Sequence, residues 1–182
     1  MRLAILGRDG VINEWLEDGV RSVDDWRAIP GSLRAMARLT AAHFHLIVVT
    51  NQPGIAAGTL DSGMLSQIHA RMNSELARWG GRIGALFYCP HAASEGCACR
   101  KPRPGLLLDM AKRLDVDMHD IPVIGDSMED IAAARAVDAR PVLLRTGRGR
   151  MAERAAAGLA GVEVYDDLAA AAAALVGRIE SE

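Results

Sequence analysis

Four short stretches of the chain carry side chains suited to phosphoryl chemistry. Asp9 stands in "LAILGRDGVIN", Thr50 and Asn51 close "LIVVTN", Lys101 follows the cysteine-rich "CPHAASEGCACR", and Asp126 ends "PVIGD" with Asp130 four residues on. Taken singly, Asp126 is explained as a helix cap, Thr50 as a strand end and Lys101 as a solvated charge. Brought together, two carboxylates, a hydroxyl, an amide and an ammonium are what a phosphoryl group and a Mg²⁺ ion need. Hard oxygen ligands hold the ion, while the lysine and hydroxyl neutralise and bind the phosphate oxygens.

A second constellation lies in "CPHAASEGCACRKP", where Cys89, His91, Cys97 and Cys99 form a Cys-x-His-x5-Cys-x-Cys pattern. Three thiolates and an imidazole in two short pairs suit tetrahedral Zn²⁺, and four soft ligands leave no open position, so the expected site is structural. The pattern uses every cysteine of the chain. It runs straight into Arg100 and Lys101, so zinc is expected to fix the lysine and to couple metal affinity to the geometry of the site.

Convergence requires a scaffold. Short apolar, β-branched runs at 3–6, 45–50, 83–88, 122–125 and 141–144 read as buried strands, and amphipathic segments at 32–42, 62–79, 105–114 and 128–136 as helices between them. Strands spaced by helices imply right-handed crossovers and an α/β, doubly wound parallel sheet, whose ligands sit at the carboxyl ends of the strands. All four polar stretches fall at such ends. Past Arg150 the chain turns alanine-rich, and 151–182 is expected to close the domain with a strand near 162–165 and a covering helix. Residues 13–29 show no periodicity; a loop of that length in a compact domain is usually functional or mobile, and this one is placed to flank a substrate.

Composition narrows the partners. At 182 residues, half of them apolar, the chain is expected to form one domain over 1–182 with a sizeable core. Its 21 basic and 23 acidic residues leave a net charge of -2 with no long block of one sign, so neither nucleic acid nor membrane is an expected partner. No window approaches the ~18 apolar residues of a membrane span, and clustered cysteines suit a reducing compartment, so a cytoplasmic monomer is expected. His43, His45, His69 and His119 are expected on helices or at their ends, solvated or capping. Arg145, Arg148 and Arg150, near the sheet's edge, are placed to attract a phosphorylated ligand, but an exposed basic turn is the commoner reading.

The four polar stretches, quoted as "LAILGRDGVIN", "LIVVTNQPGI", "CRKPRPG" and "VIGDSMED", resemble the motifs of the haloacid dehalogenase (HAD) superfamily of phosphotransferases, in order and spacing, from Leu3 to about Gly149. The resemblance implies a Rossmann-like HAD core. It further implies that Asp9 is the general acid/base, that Thr50 and Asn51 bind phosphate, that Lys101 stabilises the transferring charge, and that Asp9 and Asp126 hold Mg²⁺. Asp130 is then expected to orient Lys101 or metal-bound water. The zinc loop at 89–99 narrows the resemblance to the capless branch of heptose 1,7-bisphosphate 7-phosphatases and histidinol-phosphate phosphatases, in which Arg100 would contact a small phosphorylated sugar or related phosphomonoester.

Departures from that pattern are specific. Pro53 and Ala57 stand in "NQPGIAAG" where the branch has serine and arginine, and Trp15 and Gly19 occupy the 13–29 loop. The largest departure is Gly7: aligned on Asp9, it occupies the place of the aspartate that attacks phosphorus, and glycine supplies neither nucleophile nor carboxylate ligand. Two functional classes follow. One is a Mg²⁺-dependent phosphatase of a small sugar phosphate, of the heptose bisphosphate or histidinol phosphate type, crippled at Gly7. The other is a non-catalytic phosphosugar-binding or regulatory protein that keeps the fold and the zinc loop.

Overall fold

In the computed structural model, which describes residues 2–155 and 158–180, six parallel strands form one sheet in the order β3-β2-β1-β4-β5-β6. The chain runs β1 (Arg2–Leu6), α1 (Ser32–Ala41), β2 (Phe44–Asn51), α2 (Ser62–Ala77), β3 (Ile83–Cys89) and α3 (Gly105–Leu114). It continues through β4 (Pro122–Gly125), α4 (Met128–Arg135), β5 (Arg140–Leu144), α5 (Gly149–Arg154), β6 (Glu163–Tyr165) and α6 (Leu168–Glu180). This is the doubly wound α/β architecture that the alternation of apolar runs implies. No separate cap domain is present among the described residues. The order reverses direction at β1, so the crevice at the carboxyl ends of β1, β2 and β4 is the place where such sheets take ligands.

Strand side chains alternate between the two faces, as a period of two requires. Ala4, Leu6, Leu46 and Val48 pack with Met36, Ile68 and Leu175 on one side, whereas Leu3, Ile5, Ile47 and Val49 pack with Leu107 and Met110 on the other. Burial on both faces explains why these strands read as continuous apolar runs rather than alternating ones. Each fully buried Leu or Ile contributes about 1.5–3 kcal/mol, so the central strands are held rigidly where their ends must deliver functional groups.

Strand and helix bounds differ from the expected ones by one or two residues at the ends. The exception is α5, which the sequence does not announce: six residues following "TGR" are too short to show helical periodicity. The 13–29 segment is anchored rather than loose. Fully buried Trp26 and Val20 pin it to the core, Asn13 bridges Ala28, and Arg71 donates to the Val23 carbonyl at 2.9 Å. No helix among the described residues is long and apolar enough to cross a membrane.

Candidate active site

A pocket of about 270 Å³ opens at the carboxyl ends of the central strands, lined at its buried base by Gly7, Asp9, Thr50, Lys101, Asp126 and Asp130. The four sequence stretches therefore meet. Asn51 and Arg100 also line the pocket, and the 13–29 segment supplies part of its mouth through Trp15 and neighbouring residues.

Lys101 is fixed from three directions. Its Nζ donates to Asp130 Oδ1 at 2.5 Å and to the Val49 carbonyl at 3.1 Å. Its peptide is clamped by Asn51, whose Nδ2 donates to the Lys101 carbonyl at 3.1 Å while its Oδ1 accepts from the Lys101 N–H at 3.2 Å. Asn51 thus positions the lysine main chain. Asp130 sits at the first turn of α4, where Ser127 is the N-cap: Ser127 Oγ accepts from the Asp130 N–H at 3.3 Å and donates to Asp130 Oδ2 at 2.6 Å. Burial alone would raise the Asp130 carboxyl, but the Lys101 charge and these hydrogen bonds outweigh it and hold it below the usual carboxylate range. Of the two partners expected for Asp130, Lys101 and metal-bound water, Lys101 is the one it touches.

Asp9 is equally well held. Its Oδ1 accepts from Arg8 at 3.0 Å and from Asn13 at 2.9 Å, and its Oδ2 from Gln52 Nε2 at 2.9 Å. The same Gln52 amide donates to Thr50 Oγ1 at 2.9 Å, tying the first two motifs together. Burial pushes the Asp9 carboxyl up, yet Arg8, Asn13 and Gln52 together bring it below its ordinary value, so it rests ionised. An anionic phosphoryl group bound alongside would push it back toward the protonated form that a general acid needs. Arg8 has a fully buried side chain. Its Nη1 lies 3.1 Å from His69 Nε2, which must accept. Burial, then the Arg8 charge, lowers His69 to about 4, so the imidazole is neutral and available as that acceptor.

Asp126 contrasts with both. Its Oδ2 accepts the Arg148 N–H at 2.9 Å, but its nearest side-chain cation is Arg148 Nη2 at 3.6 Å from Oδ1. Burial, reinforced by the Asp130 charge, pushes it up to about 6. The main chain closes tightly around it: Gly10, at φ +78°, and Gly147, at φ +53°, come so close that a Cβ on either would stand 2.1 or 2.3 Å from Asp126 Oδ2. Only glycine allows this approach. A buried carboxylate lacking a full counter-charge is a fitting ligand for a cation. Mg²⁺ is commonly held by one or two carboxylates plus substrate phosphate, and Asp126 supplies one. The Asp9 carboxylate carries three donors, two on Oδ1 and one on Oδ2, which leaves Oδ2 with capacity to spare.

Gly7 is an ordinary residue in conformation. It does not have the positive φ that favours glycine, and a Cβ there would meet only the Val11 Cγ2 methyl at 3.1 Å and the Ile124 carbonyl at 3.6 Å. Its N–H donates to that carbonyl at 2.8 Å. The backbone is therefore compatible with a side chain at this position.

The cysteine-rich loop folds into one cluster. Sγ atoms of Cys89, Cys97 and Cys99 lie 3.2–3.6 Å apart, and His91 Nδ1 lies 3.5 Å from Cys89 and 3.2 Å from Cys99. These separations are far beyond the disulfide length of about 2.05 Å. Thiolates about 2.3 Å from a tetrahedral zinc would stand about 3.8 Å apart, so the donor set fits zinc after a small expansion. Without a metal, burial and its thiol neighbours push Cys89 up to about 12, which is the cost of gathering three thiols. The loop is stitched to the second motif, since Gln52 N–H donates to the Cys89 carbonyl at 2.8 Å and Ala56 N–H to the Pro90 carbonyl at 3.1 Å.

Two expectations need correction. His45 lies within β2, and His69 is neither solvated nor a cap but the acceptor for buried Arg8; a lone histidine on a helix carries no sign of a partner 61 residues away. Arg148 is not part of an exposed basic turn: it lines the pocket and pairs with Asp126, while Arg145 pairs with Glu153 and Asp166. Sequence reasoning also passed over Arg8, Asn13, Gln52 and Ser127. Each adjoins or lies within a quoted motif, and that adjacency was the available signal.

A six-stranded 3-2-1-4-5-6 sheet with these groups at its switch point defines a HAD-type phosphotransferase core, and the chain belongs to the HAD-like hydrolase family. The HAD-hydrolase-like family matches residues 98–171. The chain is 46% identical over 176 residues to the D-glycero-β-D-manno-heptose-1,7-bisphosphate 7-phosphatase of Bordetella bronchiseptica, covering 97% of this chain and 98% of that one. It is 45% identical over 175 residues to the enzyme of the same name from Pseudomonas aeruginosa, covering 96% and 97%. The crystal structure of D,D-heptose 1,7-bisphosphate phosphatase from B. bronchiseptica, complexed with magnesium and phosphate, superposes with a TM-score of 0.95 at 46% identity, covering 98% of this chain and 99% of that one.

Proposed function

We propose that residues 1–182 form one phosphatase domain of the heptose-1,7-bisphosphate 7-phosphatase type, dependent on Mg²⁺ and stabilised by structural Zn²⁺, whose turnover is crippled by Gly7. The observation that supports this most is the meeting of Asp9, Thr50, Lys101, Asp126 and Asp130 in one pocket of a chain 46% identical to such an enzyme over nearly its whole length. The expected substrate is a small phosphorylated sugar, met in the cytoplasm by a monomer.

In this reading Lys101 and the Thr50 hydroxyl bind the oxygens of the reacting phosphoryl group, with Asn51 and Asp130 keeping the lysine aimed. Arg100, at the end of the zinc loop, contacts the sugar phosphate. Asp9 gives a proton to the leaving sugar oxygen and takes one from the attacking water. Asp126, with a main-chain oxygen near Asp9 and the phosphate itself, would hold Mg²⁺, which when bound neutralises phosphoryl charge. The covalent step is what the chain lacks. No oxygen nucleophile stands at position 7, and deleting a catalytic nucleophile typically costs on the order of 10⁴–10⁶ in turnover.

Gly7, together with the departures at Pro53, Ala57, Trp15 and Gly19, also supports a second reading, a phosphosugar-binding protein without catalysis. One panel separates them. Phosphate release from sugar mono- and bisphosphates, with and without Mg²⁺, is measured beside calorimetric binding of the same compounds. Slow, Mg²⁺-dependent release from a heptose bisphosphate supports the crippled phosphatase; binding with release at the uncatalysed rate supports the binding protein; neither binding nor release sinks both.

A further inference from the structure

Arg148 is a cation at this pocket whose hydrogen-bonding capacity is largely unmet. Its Nε is buried with no acceptor, and its only carboxylate contact is Asp126 Oδ1, 3.6 Å from Nη2. A guanidinium offers five N–H donors in a planar fork that matches a phosphate edge. Of the other guanidinium side chains lining the pocket, Arg8 is bound to Asp9 and His69 and Arg21 to Asp18, while Arg100, with one bond to the His91 carbonyl at 3.4 Å, is the group already given to the sugar phosphate in the proposed function.

The position of Arg148 is fixed although its donors are not. Its own N–H is bound by Asp126 Oδ2, and the turn before it is tied to the β1 turn through Thr146 Oγ1, which donates to the Gly10 carbonyl at 2.6 Å. Its guanidinium carbon lies 5.7 Å from the centre of the Trp15 ring, near enough for the ring face to steady a cation. Trp15 is 39% exposed, whereas Thr50 and Lys101 at the base are 3% and 8% exposed. Trp15 and Arg148 therefore stand at the mouth of the pocket, and the phosphoryl-binding groups at its floor.

We infer that Arg148, steadied by Trp15, is a specificity-determining residue that binds the second, non-reacting phosphate of a bisphosphorylated sugar. The inference rests on the proposed function, because it needs the reacting phosphate to occupy the Thr50–Lys101 floor. A substrate held there by one phosphate and long enough to reach the mouth brings its other phosphate to a cation that has donors to spare. Its pairing with Asp126 is loose, 3.6 Å, so the fork is free to turn to that second anion. A sugar monophosphate would fill the floor and leave Arg148 unused, so this residue separates the two classes of substrate by affinity.

The test is calorimetry on the full-length, zinc-loaded protein in Mg²⁺ at fixed ionic strength, with heptose 1,7-bisphosphate and heptose 7-phosphate as the two probes. Because the chain turns over slowly at most, binding is readable directly. Arg148→Ala should weaken the bisphosphate by about 10- to 100-fold, the range for a hydrogen bond to a charged group, and the 7-phosphate by less than about twofold. Arg148→Lys, which keeps the charge and loses the fork, should fall between. Trp15→Leu should reduce the preference for bisphosphate without touching the 7-phosphate. Melting temperature and zinc content of each variant report folding independently. Equal losses for both probes, or no loss for either, overturn the inference and leave the proposed function standing. Failure of the unaltered protein to bind either probe overturns the proposed function and the inference with it.

Discussion

Lys101 and Asp130, on one side of the pocket, hold each other in place through their side chains; Gly7, on the other, has no side chain and is held by its main chain alone, through the Ile124 carbonyl. The lysine wall is a network in which each group is both functional and structural: Lys101 with Asp130, Asp130 with Ser127, Asn51 with the Lys101 peptide. The β1 turn carries an equally complete network of Arg8, Asp9, Asn13, Gln52 and His69, but position 7 lies outside it. A nucleophile faces the reacting atom and not the scaffold. In the proposed reading its loss abolishes chemistry while the fold and every neighbouring hydrogen bond persist, whereas loss of Asp130 or of the cysteine cluster is expected to damage structure and chemistry together.

Stripping the metal from the cysteine cluster should show the structural side of this contrast most strongly. Structural Zn²⁺ sites in small peptides carry about 10–16 kcal/mol of apparent binding free energy. Cys97→Ser or exhaustive chelation should therefore loosen the loop that carries Arg100 and Lys101 even if the sheet survives. Metal analysis of protein purified without added zinc should find one ion per chain, and hydrogen exchange should rise across 89–101 when it is removed. Protein that lacks zinc as isolated and melts identically after Cys97→Ser would erase the difference between the two walls.

Gly7→Asp tests the other side. The substitution restores a carboxylate where the backbone does not demand glycine and only the Val11 methyl must give by a few tenths of an ångström. Mg²⁺-dependent phosphate release should rise by at least ~10³, about 4 kcal/mol of transition-state stabilisation. Adding Asp9→Asn should remove most of the gain, since the leaving alkoxide then lacks its proton donor. A Gly7→Asp protein that folds and binds Mg²⁺ but releases no phosphate would mean that the pocket has diverged beyond one residue, in favour of the binding-protein reading.

Asp130→Ala should lie close behind in free energy but act on both properties. It strands the Lys101 ammonium, whose side chain is only 10% exposed, and breaking a buried pair by removing one partner costs about 3–5 kcal/mol. Chemical denaturation should show that loss in Gly7→Asp and unaltered backgrounds alike. If stability is unchanged, Lys101 reaches solvent easily and the wall is less tightly coupled than its 2.5 Å contact implies.

The sheet and the strand ends were legible because buried parallel strands leave continuous apolar runs, and because Asp9, Thr50, Lys101 and Asp126 each terminate or follow one. The meeting of Cys89, His91, Cys97 and Cys99 was legible from spacing alone. What sequence did not disclose were contacts between distant residues whose types have common alternative uses. His69 meets Arg8 only because α2 packs beside the β1 turn, and Arg148 faces Asp126 only because two glycines let their turns approach it. Helix α5 escaped because six residues hold less than two helical turns.

The smallest effect concerns Mg²⁺ itself. With Gly7 supplying no carboxylate, the ion depends on Asp126 and on oxygens that phosphate brings, and Mg²⁺ gives up its water reluctantly. Calorimetry should therefore show little Mg²⁺ binding to the phosphate-free protein and a measurable gain with inorganic phosphate present. Linkage makes the effect reciprocal: phosphate must gain from Mg²⁺ the same factor that Mg²⁺ gains from phosphate, about 5- to 150-fold if the coupling is of ordinary size. Gly7→Asp should raise Mg²⁺ affinity in the absence of phosphate, because the new carboxylate replaces an oxygen that only the phosphate had offered, and the coupling factor should shrink accordingly. Tight binding by the unaltered, phosphate-free protein would instead mean that another oxygen already fills the gap at position 7, and the two sides of the pocket would then be equally complete.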